Sequence, residues 1–420
     1  MTLAPTGRGG RLGSPLSLRS GPTLPNRMLK SALSEGLAES GGAPGTRLAN
    51  LYRRWGGGGY GLLITGNVMV DHRHLSEPGQ VIVEDDRHLA ALARWAEIYH
   101  ERGGPIWVQL NHPGRQANQR TGRHRPVAPS AIAARVPGAA RPRALTDQEI
   151  REIVTRFGGA AAVVEAAGFD GVQIHGAHGY LVTQFLSPAS NRRDDAWGGD
   201  PERRRAFVVE ILRTIRANVG PGFSVGIKLN SADFQRGGFT EEESREVVRA
   251  LIAEGIDLIE ISGGSYEAPA MMGVLAESTR AREAYFLDYA RTVRDIAGQV
   301  PIAVTGGFRT RTAMEQALAA QDCDIVGIGR PACITPDAPR ALLERGQERL
   351  DAPDIRVGAR GLLGRLTDLR PVDSALNLLW HADQLHRMAA GLDPDPARPW
   401  WRTLSSVIRT GPSALRPKRS

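Results

Sequence analysis

The sequence predicts a closed (β/α)8 TIM barrel with long loops at its C-terminal face, and three observations predict it. Short apolar runs alternate with longer amphipathic stretches through most of the 420 residues, the pattern of parallel strands joined by helices. There are eight such runs, the number that closes this barrel. Each run is apolar almost without interruption, as a strand covered on both faces must be. A doubly wound open sheet is the competing arrangement.

The candidate strands are Asn26–Lys30, Gly61–Thr65, Pro105–Leu110, Gly171–His175, Phe223–Leu229, Leu258–Ile261, Pro301–Thr305 and Ile325–Ile328. An internal echo precedes three of them. Ala166-Ala167-Gly168-Phe169-Asp170 recurs as Ala253-Glu254-Gly255-Ile256-Asp257, and more weakly as Ala320-Gln321-Asp322-Cys323-Asp324. Each copy ends a helix before a strand begins, and the Gly suits a left-handed helix end. Helix starts are signalled by Thr146-Asp147-Gln148-Glu149 and Thr240-Glu241-Glu242-Glu243, both capping boxes. Two long excursions, Asn111–Leu145 and Ser262–Arg282, follow the third and sixth strands, on the face where barrel active sites form. From about Gly346 the pattern gives way to an Arg-rich, Pro-punctuated tail. Its amphipathic stretch, Ser374–Met388, could dock on the barrel or on a second subunit of a homo-oligomer.

Composition narrows the class. No apolar run approaches the length of a membrane span, and the first twenty residues lack a secretory apolar stretch, so a cytoplasmic protein is expected. The net charge of +8 comes from scattered Arg, which reads as solvated helix faces rather than a nucleic-acid surface. Cys323 and Cys333 are the only cysteines, too few for a disulfide framework or an iron–sulfur motif. No G-x-G-x-x-G follows a strand, so a Rossmann dinucleotide site is not indicated. Lys occurs only at 30, 228 and 418, so Lys228 inside the apolar run Val225–Leu229 stands out.

The segment Ile174-His175-Gly176-Ala177-His178-Gly179-Tyr180 directly follows the fourth strand. Two neutral imidazoles can donate hydrogen bonds to one substrate oxygen, and a phenol can supply a proton. A structural histidine pair is the plain alternative. A zinc site, as in a metal-dependent barrel hydrolase, is another, although further ligands are missing from the motif.

The following run, Gln184-Phe185-Leu186-Ser187-Pro188-Ala189-Ser190-Asn191-Arg192-Arg193-Asp194-Asp195-Ala196-Trp197-Gly198-Gly199-Asp200-Pro201-Glu202-Arg203-Arg204, resembles the Old Yellow Enzyme family of NADH:flavin oxidoreductases and ene-reductases. There H-x-x-[HN]-G-Y precedes Q-F-L-x-P-x-S-N-x-R-x-D-x-[YW]-G-G-x-x-E-x-R. Asn26–Ser34 and Ile106–Arg115 resemble the family's first and third strands. The likeness runs from roughly Leu12 to Arg345. Residues 1–345 are therefore expected to form an FMN-binding barrel, with 1–20 irregular and 346–420 a partly helical extension.

The resemblance implies FMN across the C-terminal mouth, reduced by NADH or NADPH. It places Ser34 and Asn67 near the O4/N5 edge of the flavin and Gln109 at its pyrimidine edge. Lys228 stands where the family more often has Arg, as the cation for the N1/C2=O region. A buried ammonium needs a compensating anion, and reduced flavin would be one. Gly306 and Gly307 after the seventh strand, with Gly329 and Arg330 after the eighth, would bind the phosphate. The implied reaction is reduction of an electrophilic alkene, an α,β-unsaturated carbonyl compound. His175 and His178 would hold its oxygen, and Tyr180 would protonate it. Tyr266, with Met271 and Met272, would shape the substrate pocket. A flavin-binding protein without catalysis is the remaining alternative.

Overall fold

The computed structural model describes residues 10–122, 124–135, 139–233, 235–263, 284, 286–356 and 370–403. Strands β1 (Met28–Lys30), β2 (Leu62–Met69), β3 (Ile106–Asn111), β6 (Gly171–Gly176), β7 (Ser224–Asn230), β8 (Leu258–Ser262), β9 (Ile302–Thr305) and β10 (Ile325–Ile328) close a parallel barrel. The short pair β4 (Val127–Ala128) and β5 (Arg143–Ala144) lies in the excursion after β3. All eight expected strands are present. β2 runs four residues beyond its expected end, through Gly66 to Met69, with a bulge between Ile64 and Asn67. Gly66 is there for a close approach. A Cβ at this position would lie 2.0 Å from Glu35 Oε2 and 2.5 Å from the Leu33 carbonyl oxygen.

The internal echo has a structural meaning at the N-terminal rim. Gly168 and Gly255 adopt φ of +84° and +80° after their helices. In the third copy Gln321 takes this role at φ +60°, one residue earlier than the sequence alignment suggests. The Asp that follows then accepts an amide at the start of a neighbouring strand: Asp170 from Ile106 at 2.8 Å, Asp257 from Val225 at 2.7 Å, Asp324 from Ile302 at 2.8 Å. Both capping boxes are formed, at Thr146/Glu149 and Thr240/Glu243.

Apolar packing occurs in two shells. One joins the barrel's outer face to the helices, as where Ile150, Ile153, Phe157 and Val164 turn the helix Asp147–Ala166 inward at helical spacing. The other fills the barrel's lower interior around Leu29, Leu62, Ile64, Trp107, Leu258 and Ile325. Trp107 fits because its neighbours lack side chains. A Cβ at Gly226 would lie 2.6 Å from its ring. The C-terminal helix Arg370–Ala389 packs on the barrel helix Thr46–Gly56 and on the turn Arg330–Cys333. His386 Nε2 anchors it by donating to the Glu35 carbonyl at 2.8 Å.

Candidate active site

Strand alternation sends every second residue into the barrel, so the apolar floor is overlaid by a polar layer. Register sets Gln109 beside Gln173, His175 beside Lys228, and Lys228 beside Glu260. Gln109 Nε2 donates to Gln173 Oε1 at 2.7 Å, and Gln173 Nε2 donates to Glu260 Oε2 at 2.7 Å. The other carboxylate oxygen of Glu260 meets Lys228 Nζ at 3.0 Å and accepts from Ser31 Oγ at 2.5 Å and Thr305 Oγ1 at 2.6 Å. Glu260 is fully buried. Burial raises its pKa, but Lys228, Ser31, Thr305 and Gln173 outweigh burial and hold the carboxyl below its ordinary range. Thr305 reaches it past Gly327, where a Cβ would lie 1.8 Å from the Thr305 hydroxyl.

Above this layer His175, His178 and Tyr180 converge. The His175 ring lies 5.1 Å from His178 and 4.8 Å from Tyr180, edge to face in both cases. His175 Nδ1 accepts the Ala177 amide at 3.3 Å, so the neutral ring carries its proton on Nε2. That is the wrong tautomer for metal ligation through Nε2. His178 has φ +62°, uncommon for a residue with a side chain, and Gly179 follows at +78°. The turn is held from both sides, by the His178 amide on Asn230 Oδ1 at 3.2 Å and by Gln116 Nε2 on the His178 carbonyl at 2.9 Å. His178 Nε2 pairs with Ser262 Oγ at 3.0 Å. Burial, then His178 and Lys228, push His175 well below the ordinary histidine range. Burial, then Lys228, push His178 down to about 3. Both rings are neutral near pH 7.

These residues open onto a cavity of about 370 Å³, within the range of small-molecule sites. Ser34, Asn67, Gln109, His175, His178, Tyr180, Lys228, Gly306, Gly307, Gly329 and Arg330 all line it. Tyr266, Met271 and Met272 lie outside the described residues. Asn67 belongs to β2, paired with Gln109, rather than following the strand.

The expectation for Lys228 needs correction. Its compensating anion is Glu260 of the same barrel, so its charge is balanced before any flavin arrives. The signal was available in Leu258-Ile259-Glu260-Ile261, an acid inside an apolar strand. Lys30 is buried too, on the outer face, where its Nζ donates to the Ile64 carbonyl at 3.1 Å and lies 4.0 Å from the Trp55 ring centre. Sequence reasoning also missed Glu77, Phe286 and Arg309, and the wall supplied by Asn377, Leu378 and His381 of the C-terminal helix.

The long run after Tyr180 is mainly scaffold. Gln184 Nε2 donates to the Gly179 carbonyl at 2.8 Å, directly beneath the His178 turn. Asn191 Nδ2 donates to the Phe185 and Trp197 carbonyls, each at 2.8 Å. Arg204 reaches the Leu186 carbonyl at 3.0 Å and pairs with Glu243. Among the described residues, groups with metal-ligand spacing centre on Asp71, with His74 and His112 or with His72 and Glu84, not on His175 and His178. Arg73 already grips the Asp71 carboxylate at 2.8 Å. No described helix is long and apolar enough to cross a membrane.

A parallel barrel with a polar layer over its apolar floor, a buried cation and glycine turns beside arginine suits a flavin-dependent oxidoreductase. The chain belongs to the NADH:flavin oxidoreductase / NADH oxidase family, whose model matches residues 11–348. It is 40% identical over 353 residues to the NADH-dependent flavin oxidoreductase iliE of Hypocrea jecorina, covering 78% of this chain and 88% of that protein. The barrel matches an Old Yellow Enzyme homologue from Zymomonas mobilis with TM-score 0.68 and 25% identity, over 81% of this chain and 94% of that one. A likeness of fold links it to 2-naphthoyl-CoA reductase in complex with 2-naphthoyl-CoA, with TM-score 0.77 and 24% identity over 87% of this chain. This chain spans only 58% of that reductase.

The cofactor is FMN and the reductant a nicotinamide nucleotide. The residues present fit that cofactor. Gly306 and Gly307 have φ of +144° and +94° and line the cavity, where the lack of side chains lets an anion approach the backbone. Amide, ammonium and hydroxyl groups also line it.

Proposed function

We propose that this protein reduces an electron-poor alkene, such as an α,β-unsaturated carbonyl compound, at the expense of NADH or NADPH. The observation that carries this reading is the convergence of His175, His178 and Tyr180 on one wall of the cavity. Bound FMN supplies an isoalloxazine ring able to take and give hydride.

Gln109, Ser34 and Asn67 would hold the ring's edges, and Gly306, Gly307, Gly329 and Arg330 the phosphate. Lys228, paired with Glu260 and lining the cavity, would supply the positive charge toward the ring. His175 offers Nε2–H to a substrate oxygen, its tautomer set by the Ala177 amide. His178 joins it as a second neutral donor through Nδ1–H, the tautomer in which the Ser262 hydroxyl donates to its Nε2. Neutral donors stabilise a developing enolate without surrendering a proton to it. Tyr180 is the proton donor to carbon. The excursion after β8, including Tyr266, would contribute substrate contacts.

The test is the visible spectrum of the purified protein before and after anaerobic NAD(P)H, followed by addition of cyclohexenone or a maleimide. Flavin absorbance that bleaches and then returns with saturated product is expected. Colourless protein that takes up no FMN would sink the reading. Flavin that reoxidises without consuming alkene would reject the substrate class alone.

A further inference from the structure

The C-terminal helix brings a histidine with an unused ring nitrogen to the glycine-lined end of the cavity. His381 is 5% exposed, and its Nδ1 donates to the Asn377 carbonyl at 2.8 Å. In the neutral ring this leaves the lone pair on Nε2. That nitrogen is buried and has no hydrogen-bond partner among the described residues, and a buried polar atom left so is unfavourable unless something fills it. His381 shares the cavity wall with Gly306, Gly307, Arg309 and Arg330.

The ring is held in place. Asn377, one turn earlier, donates to the Ile355 carbonyl at 2.6 Å and accepts from its amide at 2.9 Å. Trp380 Nε1 donates to the Arg398 carbonyl at 2.8 Å. Charged groups act on His381 from three segments: Arg309 after β9, Arg330 after β10, and Asp354 ahead of the helix. Burial first, then the two arginines, push it down to about 4, against the Asn377 carbonyl and Asp354. A neutral lone pair therefore sits in a positive field. The ligand that suits it is an anion able to carry a proton. A phosphate monoester, with its second pKa near ~6, meets that requirement, whereas a phosphodiester or an alcohol does not.

We propose that His381 is a ligand of the FMN phosphate, and that binding draws one solvent proton onto the His381–phosphate pair. This deepens the cofactor assignment and rests on it. The arginines hold the charge while the imidazole and phosphate share the proton, so the pocket selects a phosphomonoester over riboflavin and over flavin dinucleotides.

The experiment is calorimetric titration of the full chain, freed of flavin, near ~pH 7. FMN is compared with riboflavin in two buffers of different ionisation enthalpy. FMN should bind with uptake approaching about one proton, and riboflavin with none. His381→Gln should abolish most of the uptake and weaken FMN roughly tenfold or more, leaving riboflavin unchanged. Wild-type uptake and an unchanged FMN-to-riboflavin ratio in His381→Gln would overturn the proposal. FMN binding without proton uptake in the unsubstituted protein would overturn it equally, whatever the fate of the variant. In both cases the cofactor assignment survives, because FMN still binds. Failure to bind any flavin would instead strike at the cofactor itself.

Discussion

Glu260 and Lys228 lie beside each other on adjacent strands, both buried, at the base of the cavity. A lone cation there would favour the anionic reduced flavin, and the pair does so less. Glu260→Gln should therefore raise the midpoint potential of bound FMN by tens of millivolts, read by potentiometric titration. An unchanged potential would mean that the pair only supports the barrel. Breaking a buried pair also costs about 3–5 kcal/mol, so thermal stability belongs in the same measurement. At Tyr180, removal of the hydroxyl in Tyr180→Phe should slow the oxidative half-reaction by about 10²–10⁴-fold. Flavin reduction by NAD(P)H should stay nearly intact, and equal losses in the two half-reactions would reject the proton-donor role. Stopped-flow measurement separates them.

At the scale of elements, strands set the polar layer and turns set the ends of the site. The Gly306-Gly307 turn takes backbone angles that other residues rarely adopt. Gly307→Ala should cost about 1–3 kcal/mol in strain and loosen FMN, seen as faster flavin loss on dialysis. Full retention of flavin would show that the turn does not cradle the phosphate. The run from Gln184 to Arg204 makes a different point. Its residues carry the family resemblance, yet none of them lines the cavity: Gln184 holds the Gly179 carbonyl beside His178, while Asn191 and Arg204 hold carbonyls of the run itself. A strained turn needs neighbours that fix its backbone, and Gln184 is one of them.

For the whole molecule, buried neutral histidines couple folding to pH. Burial pushes His112 down to about 4, His178 to about 3 and His381 to about 4. The unfolded chain takes up these protons from about pH 6.5 downward, while the native chain resists until about 3–4. Their contribution is therefore present above about pH 6.5 and is lost as pH falls toward 4. The melting temperature of the protein freed of flavin should drop steadily between about pH 6.5 and 4.5, and a flat profile would contradict the burial of these rings. Over the same interval His178 stays neutral, so no histidine titration should appear in the oxidative half-reaction.

Much of this protein was legible along the chain because its determinants are local. Apolar runs of strand length, capping boxes and glycines at helix ends specify units that each depend on a few neighbouring residues. The two histidines, the tyrosine and the Gly-bearing turns stood out because they lie at or just after strand ends, where a barrel collects its chemistry. Other features depend on residues far apart in sequence, and only the tertiary structure decided them. Lys228 reads as a cation awaiting a ligand until β8 sets Glu260 beside it. Gly66 reads as a strand stop until Glu35 is found filling the space its missing side chain leaves. The tail reads as an amphipathic helix with no address until it docks and brings His381 to Arg330. Local propensity is written in neighbouring residues, whereas charge compensation and cavity walls arise from distant segments meeting in space.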